Sequence, residues 1–186
     1  MASKTRRRAA RAATALLGAL GIALPALLGC ADRNAASGDE HAVALLEPAG
    51  NRRAYGTVTF EPHEDGVRVR ADVSALSPGR HAFHVHENGD CSKPDASSAG
   101  GHFDFDPDDS QPRRITGNLG ELDAGSTGRA TYEAVIPRAT LEGERSIVGR
   151  AVIVHERGND PSAPPDGNAG APISCGVIAS SRDIRS

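Results

Sequence analysis

The segment VRVRADV (67–73) decides the fold class, because valine or alanine alternates with a polar residue along its whole length. Side chains on a β-strand point alternately to its two faces, so the three valines and Ala71 share one apolar face. The pair Asp65-Gly66 directly before the segment is a typical turn signal. The segment is therefore predicted to be a β-strand that is buried on one face.

Short segments of the same kind recur along the chain. They are predicted as strands at 42–46, 54–60, 80–86, 117–122, 130–136, 148–155 and 175–179. Turn residues separate them, as at Ser77-Pro78-Gly79 and Ala124-Gly125, and no long segment has a helical period. Eight short strands predict an all-β fold, an eight-stranded Greek-key β-barrel or sandwich. The long irregular segment 87–116 is predicted to be a functional loop that wraps a metal site.

One predicted strand carries three histidines in the run HAFHVHE (81–87). Because side chains alternate along a strand, His84 and His86 point to one face and His81 points to the other. Two imidazoles on one face, one residue apart, make half of a metal site.

Two further histidines complete a candidate set of four ligands. His102 lies in the glycine-rich run SSAGGHFDF (97–105), and His155 lies near the end of the apolar run RAVIVHE (150–156). Imidazole is a borderline-soft donor, and copper heads the affinity order of the divalent metals. Four neutral imidazoles with no thiolate therefore favour copper.

The first thirty residues are typical of an export signal. A cluster of five basic residues precedes the apolar segment 12–29, so residues 1–29 are predicted to be a signal peptide. The ending LLGC (27–30) resembles a lipobox, which predicts a lipid on Cys30 and a membrane anchor. A plain signal peptide cut a few residues later, or an uncleaved anchor, is the alternative. The run Arg6-Arg7-Arg8 fits a generic basic region better than a twin-arginine signal.

These features divide the chain and predict its location. Residues 30–40 are predicted to be a flexible tether, 41–181 the folded domain and 182–186 a tail. The predicted location is the periplasm or the cell surface. Removal of residues 1–29 takes away five positive charges and no negative ones, which changes the formal net charge from −3 to −8. That balance argues against nucleic acid as a partner.

Five motifs, in the same order, resemble the copper/zinc superoxide dismutase family. They are HAFHVHENGDCS (81–92), SSAGGHFD (97–104), GNLGEL (117–122), RAVIVHE (150–156) and GNAGAPISCGVI (167–178). The resemblance covers most of residues 41–181 and implies a superoxide dismutase-like β-barrel. It also implies an antioxidant oxidoreductase that converts superoxide to oxygen and hydrogen peroxide.

The resemblance assigns a role to each histidine of the motifs. The positions of His84, His86 and His155 bind copper in the family, and the position of His102 bridges copper and zinc. His102 is thus expected to be both a copper ligand and the proton donor to the product. His81 is expected to brace the metal-site strand from behind.

The resemblance also implies a disulfide bond between Cys91 and Cys175. The chain has three cysteines, and lipidation of Cys30 would leave these two as a pair. An oxidising compartment favours such a bond. It would hold the loop after the copper strand against the last strand.

The chain departs from the family at the zinc site. The family uses two further histidines and an aspartate there, but no histidine lies between His102 and His155. Ile115 and Asn118 stand where a zinc histidine and the zinc aspartate would fall. The sequence therefore predicts copper alone and no zinc. A weak carboxylate-rich zinc site is the alternative; its acidic residues would be Asp104, Asp106, Asp108 and Asp109.

Two other family positions differ as well. Asn159 replaces an aspartate that links the two metal sites by hydrogen bonds, which fits the loss of zinc. Without zinc, His102 needs another partner, for which Asp104, Asp106 and Glu156 are candidates. Pro172 replaces an arginine that draws in the superoxide anion. The candidate substitutes are Arg113, Arg114 and Arg157; solvated surface charges are the alternative for all three.

Three functions remain open on the sequence. The preferred one is a copper-dependent superoxide dismutase of the cell envelope. The second is a copper carrier of the same fold with little turnover, which Pro172 and the acidic net charge favour. The third is a structural or adhesion domain, which the complete set of four histidines argues against.

Overall fold

The computed structural model describes residues 40–105, 116–164 and 167–184. Its strands are β1 (Ala42–Pro48), β2 (Tyr55–His63), β3 (Gly66–Ser74), β4 (Gly79–His86), β5 (Asn118–Ala124), β6 (Ala130–Pro137), β7 (Ala151–His155) and β8 (Pro172–Ser180). A short 3₁₀ helix (Ser97–Ala99) and the helix α1 (Ser181–Ile184) complete the regular structure of this part. Within it, none of the helices has the length and apolar character needed to cross a membrane.

All eight strands join one antiparallel sheet in the order β5-β4-β7-β8-β1-β2-β3-β6. The two outer strands of this order meet at Tyr132 of β6, whose hydroxyl donates to the carbonyl of Leu119 on β5. The Tyr132 ring also packs edge-on against Phe83, with 4.9 Å between centroids. The sheet therefore curls into a nearly closed barrel, which confirms the predicted all-β fold.

The core lies inside the barrel and follows the alternation in the sequence. The three valines of β3 are at most 1% exposed, and Ala71 is also buried. The large, fully buried side chains of the same core include Phe60, Phe83, Leu122 and Ile178. Full burial of each such side chain contributes roughly 1.5–3 kcal/mol.

Strand β7 is shorter than the predicted segment 148–155. Gly149 has a φ of 80°, a left-handed conformation that suits glycine, and Arg150 N–H donates to the carbonyl of Ile147. These features make a turn that delays the strand to Ala151. The signal peptide, Cys30, most of the tether and the last two residues of the tail lie outside the described residues.

From His81 to His86, strand β4 is buried on both faces, unlike a typical barrel strand. Phe83 and Val85 belong to the core, so His84 and His86 face outward. The segment after the 3₁₀ helix lies against this outer face, where the carbonyl of Gly100 accepts from His86 Nδ1 at 2.9 Å, and Phe103 N–H donates to the carbonyl of Val85 at 2.8 Å. The metal-site histidines therefore lie between the barrel wall and a covering loop.

Candidate metal centre

Three parts of the fold bring four histidines together. His84 and His86 come from β4, His102 comes from the covering loop and His155 comes from the end of β7. Each contributes one ring nitrogen, and these four nitrogens lie within 4.8 Å of one another. The strands β4 and β7 are neighbours, and His86 and His102 form an isolated β-bridge. This is the arrangement of residues that the sequence motifs predict.

Irregular strand pairing adjoins two of the histidines. The register between β4 and β5 shifts between Phe83 and His84, and that between β7 and β8 shifts between Val154 and His155. Such irregularities bend a strand and redirect its side chains, and they are common beside active sites. The two strands can therefore direct their histidines to one point.

One nitrogen of each buried ring is held by an oxygen. His84 Nε2 donates to Asn159 Oδ1 at 2.9 Å, His86 Nδ1 to the carbonyl of Gly100 at 2.9 Å and His155 Nδ1 to the carbonyl of Gly170 at 3.0 Å. These oxygens only accept, so each ring carries its proton on the outward nitrogen. The lone pair of the other nitrogen is left for the centre.

The three inward nitrogens have no hydrogen-bond partner among the described residues. They are His84 Nδ1, His86 Nε2 and His155 Nε2, all fully buried. A buried acceptor without a partner costs on the order of 1–3 kcal/mol, so three in one cluster require an explanation. A metal ion that accepts all three lone pairs provides it. His102, which is half-buried, supplies the fourth nitrogen.

The electrostatics keep these rings neutral. Burial, followed by the neighbouring His102 and His155, lowers the pKa of His84 to about 2, although the hydrogen bond to Asn159 acts in the opposite direction. Burial is also the main reason that the pKa of His86 falls to about 4 and that the pKa of His155 falls. Because the neutral imidazole is the ligand form, the site is ready for a metal at neutral pH. Four imidazole nitrogens fit copper.

A disulfide bond and a partly buried arginine contact the covering loops. Cys91 and Cys175 are bonded, which confirms the predicted pair and ties the segment after β4 to β8. The guanidinium of Arg150 lies 3.2 Å above the ring centre of Phe103 and donates to the carbonyl of Glu87 at 2.7 Å. Arg150 thus contacts the residue that follows His102 and the residue that follows His86.

Comparison with known proteins identifies this architecture. The family model described as copper/zinc superoxide dismutase matches residues 54–178. The chain belongs to the copper/zinc superoxide dismutase family.

Several members of the family are similar over most of the domain. Superoxide dismutase [Cu-Zn] A of Xenopus laevis is 38% identical over 150 residues, which cover 74% of this chain and 95% of that protein. The Cu-Zn superoxide dismutase of Deinococcus radiodurans is 34% identical over 149 residues, 72% of this chain and 81% of its own length. An extracellular Cu-Zn superoxide dismutase of Caenorhabditis elegans is 35% identical over 135 residues, 66% of this chain and 60% of its own length.

The zinc-site positions of the dismutase family look different here. Asn118 is exposed, and its side-chain oxygen accepts from Gly120 N–H at 3.1 Å. Asp104 accepts from the Thr116 hydroxyl at 2.6 Å. Within the described ranges, the four histidines form the one group of three or more potential ligands. Ile115 and three of the four candidate acidic ligands (Asp106, Asp108 and Asp109) lie outside those ranges.

The two other positions that depart from the family, Asn159 and Pro172, each adjoin a metal-site histidine. Pro172 pairs with His155 across the β7–β8 irregularity. The Arg157 side chain, a candidate substitute for the family arginine, is 60% exposed and donates to the carbonyl of Asn168 at 3.2 Å. Arg113 and Arg114 lie outside the described residues. Glu156 accepts from Arg52 at 2.5 Å and from Ala171 N–H at 3.3 Å.

Sequence reasoning missed three residues that contact the segments around this centre. Arg52 comes from the loop after β1, 104 positions before its partner Glu156. Glu121 accepts from the backbone of Asn159 at 2.7 Å. Arg150 lies within a quoted motif, but nothing in the motif signals its contact with Phe103. No local pattern marks contacts between residues so far apart in the chain.

His81 takes the supporting position that the resemblance implies. Its Nδ1 lies 2.8 Å from the carbonyl oxygen of His155, and its Nε2 lies 2.9 Å from that of Ser77. The ring therefore connects β4 to the end of β7 from behind the four histidines.

Proposed function

We propose that this protein is a copper-dependent superoxide dismutase of the cell envelope. The observation that carries the proposal is the set of three buried imidazole nitrogens without partners, directed together with His102 at one point. Membership of the dismutase family gives that cluster a reaction.

The histidines would hold copper through defined atoms. These are His84 Nδ1, His86 Nε2 and His155 Nε2, with a ring nitrogen of His102 as the fourth ligand. Bound copper supplies one-electron chemistry, by which one superoxide is oxidised to oxygen and a second is reduced to hydrogen peroxide. The carbonyls of Gly100 and Gly170 and the amide of Asn159 keep three rings oriented and in the correct tautomer.

His102 is proposed as the proton donor. The reaction consumes two superoxide anions and two protons for each oxygen and each peroxide formed. The other three rings are buried, with their protonated nitrogens bound to protein oxygens, whereas His102 is half-buried. A ring at the solvent side can take a proton from water and give it to the reduced product.

We further propose that copper is the one metal bound. The side-chain oxygen of Asn118 accepts from Gly120 N–H, and the chain has no histidine between His102 and His155. Elemental analysis after loading with both metals tests this. One copper and substoichiometric zinc is the expected result, whereas one firmly bound zinc beside copper would contradict it.

A copper carrier is the second candidate, favoured by Pro172 in place of the family arginine. Direct measurement of superoxide decay separates the two. The copper-loaded protein should consume superoxide faster than the same amount of free copper, and His155→Ala should abolish the difference. A parent that binds copper firmly but is no faster than free copper would favour the carrier. His63→Ala is the matched control, because His63 lies on β2 outside the cluster.

Export and lipid anchoring are part of the proposal. The support is the basic and apolar segment 1–29 with LLGC at 27–30, together with a relative named extracellular. A single acyl chain binds membranes only marginally, so a stable anchor needs more than one. Mass spectrometry of the envelope fraction should show a mature chain that begins with a lipidated Cys30. A mature end downstream of that residue would leave an exported soluble protein.

A further inference from the structure

The segment that follows β7 crosses the outer face of β4 beside the metal centre. Ala82 N–H donates to the carbonyl of Arg157 at 2.8 Å, and the chain then passes over β4 toward β5. At Gly158 the approach is so close that a Cβ atom would lie 2.7 Å from Glu121 Oε1 and 3.1 Å from Arg80 Cβ. A side chain at this position would displace the Glu121 carboxylate and press on Arg80 Cβ, so glycine allows the close crossing without moving them.

Glu121 of β5 binds the backbone of this segment after it has crossed β4. Its Oε1 accepts from Asn159 N–H at 2.7 Å, and its Oε2 accepts from the guanidinium of Arg80. In the β4–β5 register Glu121 pairs with Ala82 and Arg80 pairs with Asp123, so Glu121 and Arg80 are diagonal neighbours on one face. The Glu121 side chain is 16% exposed. A shielded, charged acceptor makes a stronger hydrogen bond than a neutral one.

The side chain of the anchored residue contacts a metal-site histidine. Asn159 Oδ1 accepts from His84 Nε2–H at 2.9 Å, which leaves His84 Nδ1 for the metal. Gly167 closes the opposite side, because a Cβ atom there would lie 2.5 Å from Asn159 Oδ1. Asp160 N–H also donates to the carbonyl of Gly167 at 2.6 Å. The amide oxygen is therefore confined between His84 and Gly167.

We propose that Glu121 is a positioning residue of the metal centre. Its carboxylate fixes the backbone of Asn159, and Asn159 in turn fixes the tautomer and the orientation of His84. Arg80 stabilises the charged carboxylate from the solvent side. The inference rests on the proposed metal site, and it assigns to a strand residue of β5 a task that no motif of the chain indicates.

Copper affinity of the full chain tests the proposal without reference to turnover. Copper(II) is titrated against a competing chelator at neutral pH. Groups that orient metal ligands typically change metal affinity by about 10–100-fold. Asn159→Ala should fall within this range, and Glu121→Ala should lower the affinity by about tenfold, at the lower end. The double variant should bind no more weakly than Asn159→Ala, because both changes remove the same support of His84. A double variant whose loss of copper affinity equals the product of the two single losses would overturn the proposal.

Three further variants separate positioning from general stability. Glu121→Gln keeps an oxygen for Asn159 N–H and should stay within about threefold of the parent. Equal loss in the Gln and Ala variants would overturn the assignment of that oxygen. Glu133→Ala removes a strand glutamate that pairs with Arg68 and Arg70, and it should match the parent in affinity. If Glu121→Ala does not fold, Glu121→Asp is measured in its place, because it keeps the charge but moves the carboxylate oxygen away from Asn159 N–H. It should then lower the copper affinity as expected for Glu121→Ala.

The outcomes also distinguish this inference from the proposed function. A parent that binds no copper would overturn both. A parent that binds copper with the same affinity as folded Glu121→Ala would overturn the role of Glu121 and leave the copper site intact.

Discussion

Acidification of the metal-free protein should destabilise it through the histidines of the candidate metal centre. Burial holds the pKa of His84 at about 2 and that of His86 at about 4, whereas the ordinary value is 6.5. Below pH 6.5 the unfolded chain therefore binds protons that the folded chain does not. The contribution of these rings to the free energy of unfolding is therefore complete above pH 6.5 and is lost as the pH falls toward the folded pKa values.

The size of the loss follows from these values. At pH 5 the unfolded imidazole lies 1.5 pH units below its pKa of 6.5, which corresponds to about 2 kcal/mol for each ring that stays neutral in the folded protein. His84 and His86 together should lower the free energy of unfolding by about 4 kcal/mol between pH 8 and pH 5. The pKa of His155 is lowered as well, so its contribution has the same sign.

Urea unfolding of the chelator-treated protein, with its disulfide bond intact, measures this loss at several pH values. The double variant His84→Gln/His86→Gln removes both titrating groups. Its free energy of unfolding should therefore fall by about 4 kcal/mol less than that of the parent between pH 8 and pH 5. His63→Ala is the control and should retain the parent's dependence. Identical pH dependence in the parent and in the double variant would refute the reasoning.

Three other substitutions test separate features. Pro172→Arg should raise the rate of superoxide decay and make it fall more steeply with salt, because a cation at the site attracts a small anion. An unchanged rate in the folded variant would mean that another arginine already fills this role or that anion capture does not limit turnover, and the alanine variants of Arg113, Arg114 and Arg157 separate the two cases. Ser174→Ala should raise the free energy of unfolding by about 1 kcal/mol in urea, since the buried Ser174 Oγ has no partner among the described residues; a loss of stability would contradict this. Cys175→Ser should lower the free energy of unfolding by about 4–5 kcal/mol in the same assay, because this is the chain-entropy value for a bond between residues 84 positions apart. A change below about 1 kcal/mol would argue that other contacts hold the loop.

The sequence alone determined the parts of this protein that depend on local periodicity. The alternation in residues 67–73 placed the three valines of β3 in the core, and the same two-residue period placed His84 and His86 on one face. Eight such segments were enough to predict an all-β barrel or sandwich. The order of five family motifs then indicated which histidines belong together, because motif order carries information that spacing on one strand does not.

The tertiary structure decided the supporting contacts that join distant segments. Register irregularities direct His84 and His155 to one point, and their place in the strands follows from pairing partners on β5 and β8. The bond from Asn159 to His84 and the bond from Glu121 to Asn159 span 75 and 38 positions. Such bonds depend on which strands become neighbours when the barrel closes. The physical reason is that side-chain alternation is a property of one strand, whereas a metal centre with its supporting hydrogen bonds is a property of several strands and loops packed together.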